Sequence, residues 1–227
     1  MLSPSVRSLR LRMADGTAVG HAAGQYADLI VPTTRGLPFR RAYSIASAPD
    51  AASPDVFEIA VTRVEGGPTS EALHGLAPGE VVEVENVQGT FVRTDEERSR
   101  PALFVAAGTG LAPIRAMLTE EVRRADGPPL VLLFGCRTPG DVLWGDELAG
   151  WTRTCKRLAT HVTLSRPTPG WDGLTGYVQR HAGRLVRALP GACAYVCGLS
   201  VMVDDVVARL ARDEGVPRPA LRYETYD

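Results

Sequence analysis

The periodicity of the apolar residues changes once along this chain, near residue 98, and no other feature restricts its fold as much. Before the change, short alternating apolar runs at residues 6–13, 26–31, 43–47, 56–64 and 81–87 are broken by Gly, Pro and Asp. Short strands at close, regular spacing predict an antiparallel β-barrel. One helix interrupts them: Thr69 or Ser70 would cap a stretch through Leu73 and Leu76, with Gly79 after it. After the change, strand-like runs at residues 102–107, 130–135, 159–164, 194–197 and 220–223 alternate with helical patterns. Ile114, Met117, Leu118 and Val122 form one such pattern, and Val203, Val206, Val207 and Leu210 another. This alternation predicts a five-stranded parallel sheet with helices on both faces, an α/β domain. The polar segment TDEERSRP, residues 94–101, ends in Pro and reads as a linker, so the expected domains are 1–98 and 99–227.

Composition removes several classes of function. The chain is 44% apolar and 22% charged, as expected of a globular protein with a real core, and its formal net charge of -1 gives no global attraction to nucleic acid. The longest apolar stretches, residues 102–107 and 130–134, are too short to cross a bilayer, so no membrane insertion is expected. Residues 1–13 lack an apolar core of signal-peptide length, and the expected location is cytoplasmic. The cysteines, Cys136, Cys155, Cys193 and Cys197, contain no C-x2-C pair and no C-x4-C-x2-C run, and the histidines are scattered singly. No zinc site or iron–sulfur cluster is expected.

Three short segments carry chemistry. In VAAGTGLAP, residues 105–113, a buried strand runs into Gly108, Thr109 and Gly110, with Ala112 and Pro113 in the first turn of a helix. Glycines let a backbone come close to a phosphate, and a helix N-terminus supplies unpaired N–H groups and the positive end of a dipole. The motif is neither a Walker loop nor the full G-x-G-x-x-G, and a tight strand-to-helix turn without ligand accounts for it equally well. In FRRAYSIASAP, Arg41, Ala42, Tyr43 and Ser44 combine a cation for a pyrophosphate, a ring for stacking and a hydroxyl. An edge strand with a surface arginine is the plainer reading of that tetrapeptide alone. In GGPTS, residues 66–70, Gly67, Pro68, Thr69 and Ser70 open the short helix as a phosphate cradle or as an ordinary cap.

The order R-x-Y-S, G-G-x-x-S, G-T-G-x-A-P, a late Cys-Gly and a C-terminal E-x-Y resembles the ferredoxin–NADP reductase family over nearly the whole chain. The resemblance implies a six-stranded FAD-binding barrel, then an NAD(P)-binding α/β domain, with the chemistry in the cleft between them. Carried over by residue, it implies that Arg41 binds the FAD pyrophosphate, Tyr43 stacks on the isoalloxazine and Ser44 lies near flavin N5. Ala60, Val61 and Thr62 match the strand along the ribityl and adenosine portion. Gly67, Pro68, Thr69 and Ser70 match the phosphate-holding helix, and Gly108, Thr109, Gly110, Ala112 and Pro113 the nicotinamide dinucleotide site. Cys197 and Gly198 match the strand end beside the nicotinamide. Glu224 and Tyr226 match the E-x-Y ending, whose ring covers the flavin until nicotinamide displaces it. A small core cysteine and a plain edge strand are the alternatives for these last two groups.

The chain also departs from the family pattern. Where the family has G-P-x-G-x-F, only Gly89 and Phe91 of NVQGTF match. A strand that normally precedes residues 6–13 has no counterpart, which implies an open barrel or an edge covered by another chain. Asp227 follows Tyr226, so the ring is not terminal.

Ser165 and Arg166 resemble the pair that binds the 2′-phosphate in NADPH-specific relatives, and Tyr177 the ring beside the adenine. A basic residue usual two positions earlier is here Thr175, and Arg137, in GCRTPGD, resembles a residue familiar in the family without a defined role. These residues favour NADPH over NADH, with a solvated Arg166 as the alternative. The expected activity is an FAD-dependent NAD(P)H oxidoreductase without a fused ferredoxin domain. Ser44, Cys197 and Glu224 are its expected catalytic residues, and its acceptor a separate redox protein such as a ferredoxin or an oxygenase component. A free-flavin reductase and a non-catalytic electron-transfer subunit of a larger complex are the alternatives.

Overall fold

The computed structural model describes residues 1–33 and 36–226; Asp227 lies outside them. The first half holds β1 (Val6–Arg12), β2 (Tyr26–Thr33), β3 (Gly36–Ser44), β4 (Val56–Thr62), the helix α1 (Pro68–Gly75) and β5 (Glu83–Gln88). All pairing here is antiparallel. β1 pairs with β4, and β2 lies between β3 and β5. A single bridge between Ile45 and Ile59 joins the two sheets. Among the described residues β1 and β3 are each paired along one edge only. Leu9, Leu29, Phe57, Ile59 and Val61, at inward-facing alternate positions of the strands, pack with Ile45 just after β3 and Leu73 of α1 to form this half's core.

Two local expectations change. Neither Thr69 nor Ser70 caps α1: Gly67 is the N-cap, Pro68 takes the first helical position, and Thr69 and Ser70 are buried inside the first turn. The strand expected at residues 43–47 instead occupies β3, upstream. Its outer positions are exposed, Leu37 by 85%, so β2 rather than an apolar pattern of its own places it.

The segment read as a linker is a capped helix, α2 (Asp95–Arg98). Thr94 Oγ1 accepts from the Glu97 N–H at 3.3 Å, and the Glu97 carboxylate accepts from the Thr94 N–H at 2.9 Å. T-x-x-E is the reciprocal capping arrangement, and the polarity that suggested a linker belongs to it.

Beyond it come β6 (Ala102–Ala107), α3 (Leu111–Arg123), β7 (Leu130–Cys136), α4 (Gly145–Thr154), β8 (Leu158–Leu164), β9 (Leu174–Thr175), α5 (Ala182–Arg187), β10 (Cys193–Leu199), α6 (Ser200–Arg212) and β11 (Leu221–Tyr226). The sheet is parallel with six strands, in the order β11-β10-β6-β7-β8-β9, rather than the five expected. The added strand, β9, has only two residues, pairing Leu174 with Thr163 and Thr175 with Leu164, too few to leave a period in the sequence.

The strand order reverses beside β6, because β7 lies on one side of it and β10 on the other. Such a reversal opens a crevice at the carboxyl ends of the strands, where ligands of α/β sheets bind. The first half packs over this end. Ala23, Ala46, Ala60 and Phe91 belong to the core of the second half. Gly24 has φ +105°, and a Cβ there would lie 2.0 Å from the Phe91 carbonyl oxygen and 2.4 Å from Met117 Cε of α3. Close approach at this boundary therefore requires glycine.

Candidate active site

The crevice is built around the turn that follows β6. Gly108 has φ +54° and no neighbouring atom within 4 Å of a notional Cβ, so its backbone faces open space. Gly110 is constrained oppositely: a Cβ would lie 2.3 Å from the Cys197 carbonyl oxygen. The turn is thus wedged onto the end of β10 and leads into α3, whose first turn buries Ala112 and Pro113.

Side chains from both halves meet there. Ser44 Oγ donates to Glu224 Oε1 at 3.1 Å, across 180 residues of chain. Burial raises the Glu224 carboxyl above the ordinary carboxylate range, opposed by the Ser44 bond. Cys197 is register-paired with Glu224 between β10 and β11 and has no exposed surface. Burial, and then the Glu224 charge, pushes its thiol well above its usual value, so it is neutral at physiological pH. Tyr226 Oη donates to the Ala107 carbonyl at 2.9 Å. Thr109 Oγ1 lies 3.4 Å from Tyr226 Oη and 3.4 Å from Thr62 Oγ1 at the end of β4. Burial raises the Tyr226 phenol as well.

The flanking residues differ in exposure. Tyr43 is half-buried, and burial raises its phenol to about 12 against the opposing charge of Arg41. Arg41 is exposed, donates to the backbone oxygen of Arg40 at 3.1 Å and stacks 5.7 Å from the Phe39 ring centre. It has no carboxylate partner among the described residues. Ala42 and Thr62 are exposed, whereas Ala60 and Val61 are buried. Ser70 Oγ accepts from the Val64 N–H at 3.0 Å and lies 3.1 Å from the Gly67 carbonyl, so it stabilises the loop before α1 from within.

A second group stands apart, beyond β7 and β8. The Ser165 N–H donates to the Cys136 carbonyl at 3.0 Å and the Arg166 N–H to the Arg137 carbonyl at 2.8 Å. These bonds set Arg137 and Arg166 side by side at the strand ends, both exposed. The Gly176 N–H donates to the Leu164 carbonyl at 2.8 Å, which brings Tyr177, 64% exposed, to the same end. Arg180, which no sequence motif singled out, lies over Gly176, with Nη1 3.1 Å from a notional Cβ. Thr62, Thr109 and Tyr226 each belong to a motif, but no motif links their hydroxyls to one another.

The residues fit a flavin dinucleotide and a nicotinamide dinucleotide. Arg41 offers a cation without a carboxylate partner for a phosphate, and Gly66 and Gly108, both with positive φ, present open backbone. Residues 1–92 match the family model of an oxidoreductase FAD-binding domain, and residues 104–208 that of an oxidoreductase NAD-binding domain. Ferredoxin--NADP reductase B of Sorangium cellulosum is 46% identical over 100% of this chain and 93% of its own length. The ferredoxin--NAD(+) reductase component of the alkene monooxygenase system of Xanthobacter autotrophicus is 31% identical over 96% of this chain, which spans 65% of that relative. The phenol hydroxylase P5 protein of Acinetobacter pittii is 27% identical over 92% of the chain and 58% of its own length. Among solved structures, Amycolatopsis cytochrome P450 reductase GcoB aligns with a TM-score of 0.85 and 26% identity, over 99% of this chain and 66% of that one.

Fold and site together define a flavin-dependent NAD(P)H reductase, with FAD as its cofactor and NAD(P)H as its substrate. The chain belongs to the ferredoxin–NADP reductase family.

Proposed function

We propose that this reductase takes hydride from NADPH and passes electrons singly to a separate redox protein, a ferredoxin or the ferredoxin-like component of an oxygenase. The observation that carries the reading is the Ser44–Glu224 hydrogen bond beside the Gly108–Gly110 turn, which joins the flavin-binding half to the nucleotide-binding sheet at its crevice. Bound FAD supplies an acceptor for the nicotinamide hydride and a store from which electrons leave one at a time.

The chain's own residues bind, orient and exclude water. Arg41 neutralises the flavin pyrophosphate, with Gly67, Pro68, Thr69 and Ser70 shaping the loop and helix beside it, and Ala42, Ala60, Val61 and Thr62 lining the strands. Tyr43 offers its ring face for stacking. Gly108, Thr109 and Gly110 admit the nicotinamide dinucleotide, aided by the N-terminus of α3 at Ala112 and Pro113. Tyr226 must leave the Ala107 carbonyl for a nicotinamide ring to enter, and Gly198 and the neutral thiol of Cys197 form the wall behind it. Ser44 donates its hydroxyl to Glu224, and burial shifts that carboxyl toward its protonated form. Arg166, Arg137 and Ser165 receive the 2′-phosphate, with Tyr177 against the adenine. This basic group favours NADPH, as does the Sorangium relative named for NADP.

An anaerobic visible titration of the desalted protein tests the proposal. The expected result is a flavin spectrum bleached by NADPH at lower concentration than by NADH. A colourless protein that takes up no FAD overturns it.

A further inference from the structure

One side chain of α3 grips both halves at once, and no motif accounts for it. Arg115 Nη1 donates to the Ala46 carbonyl at 2.8 Å and to Glu58 Oε2 of β4 at 3.0 Å. Its other edge makes a two-bond contact with Glu147 of α4, at 2.5 and 3.1 Å. The guanidinium lies 4.7 Å from the centre of the Trp144 ring. Trp144, with φ 49°, is the only non-glycine residue of positive φ among the described residues. That strained conformation places the ring beneath the cation, where stacking favours it.

The points gripped matter. Ala46 follows Tyr43 and Ser44 by two or three positions, and it is laced to β4: the Ala46 N–H donates to the Glu58 carbonyl at 2.7 Å, and the Glu58 N–H to Ser47 Oγ at 3.0 Å. Ser8 Oγ of β1 donates to the remaining oxygen of Glu58. On the opposite side, α3 starts at the Gly108–Gly110 turn, which is wedged on Cys197. Among the ion pairs of the described residues, Arg115–Glu58 alone joins a barrel strand to the nucleotide domain.

We propose that Arg115 is a positioning residue for hydride transfer. It fixes the spacing and tilt between the Tyr43–Ser44 shelf and the Gly108–Gly110 turn, and so the approach of the two rings. The inference rests on the function proposed above. A planar fork serving acceptors on three elements is a task for arginine; lysine, a point donor on a flexible stem, can satisfy only part of it.

Single-turnover reduction of the FAD-loaded protein by NADPH tests this with Arg115→Ala, Arg115→Lys and Glu58→Gln. A misplacement of about 1 Å costs roughly 100-fold in rate. Arg115→Ala is therefore expected to lower the limiting reduction rate by about 10- to 100-fold, with a matching loss of the long-wavelength charge-transfer absorbance. FAD content and the nucleotide Kd stay within about threefold of the parent, because no phosphate contact is removed. Arg115→Lys restores part of the rate, and Glu58→Gln lowers it in the same direction. An unchanged limiting rate in Arg115→Ala, or a loss confined to Kd, overturns the inference. If that variant does not fold, Glu58→Gln decides, and a parental rate in it overturns the inference. A parent that neither nucleotide reduces overturns the proposed function and this inference with it, an outcome distinct from a normal parent with a normal variant.

Discussion

Glu121 of α3 has no exposed surface, and arginines from three parts of the chain converge on it. Arg93 reaches it at 3.2 Å from the end of the barrel, Arg98 at 2.9 Å from α2, and Arg157 at 3.5 Å from the turn before β8. Arg93 is itself fully buried, lying 5.9 Å from the Phe104 ring centre and 5.4 Å from that of Tyr195. It also donates to the Tyr195 hydroxyl at 3.3 Å and to the Arg100 carbonyl at 2.8 Å. Glu121→Ala would leave the Arg93 charge in the core without its carboxylate, and breaking a buried pair in this way costs about 3–5 kcal/mol. A domain is held by only about 5–15 kcal/mol, so the variant should sit near the edge of folding. Glu121→Gln keeps shape and one acceptor, and should cost roughly 1.5–3 kcal/mol, the range for hydrogen bonds to charged groups. Urea unfolding followed by far-UV circular dichroism, with FAD saturating in every sample, measures both. A loss below about 1 kcal/mol for Glu121→Ala would mean that water or a rearranged carboxylate compensates Arg93, and would refute the reasoning.

Other expectations concern the site. Ser44→Ala should slow flavin reduction in stopped flow about tenfold or more while FAD stays bound; equal rates would remove Ser44 from the role proposed. Replacing Arg137 and Arg166 together by Ala should lower kcat/KM for NADPH roughly 10- to 100-fold and leave that for NADH nearly unchanged, from about 1.5–3 kcal/mol of charge-assisted contact. Glu224 has a raised folded-state pKa, so the folded protein binds the extra proton. Its contribution to stability is therefore present at low pH and lost as pH rises from the ordinary carboxylate range through its own higher value. Glu224→Gln should flatten that part of the stability profile, and an unchanged slope in thermal melts would contradict the assignment.

Much of this protein is legible in its sequence. The two rhythms of apolar residues marked the antiparallel half and the parallel sheet, because strand and helix periods are local properties. The G-T-G turn was visible for a related reason: Gly110 is required wherever backbone meets backbone, and here that partner is the Cys197 carbonyl. The omissions are equally physical. T-D-E-E is polar because it is a capping box, so the segment between the two family matches carries a four-residue helix that polarity alone does not reveal. β9 is held by the Thr163 hydroxyl, which donates to the Gly176 carbonyl at 2.8 Å, more than by any pattern of its own two residues. Arg115 and the Thr62–Thr109–Tyr226 chain join residues 32 to 117 positions apart, and no local period encodes such contacts.

The boundary between the halves has one further consequence. On the barrel side the small groups Ala23, Gly24, Ala46 and Ala60 are joined by the larger Val6 and Phe91, so parting the halves would wet one aromatic ring and a few methylenes, each methylene worth about 0.8 kcal/mol. Polar contacts add to that packing: Arg115, the Ser44–Glu224 bond and the linked hydroxyls. The heat-capacity change on parting such a joint would come mainly from Val6 and Phe91, the larger apolar groups it covers. Salt should then have little grip on the joint, because Arg115 and Glu58 are only 13% and 22% exposed and a partly buried pair is screened much less than a surface one.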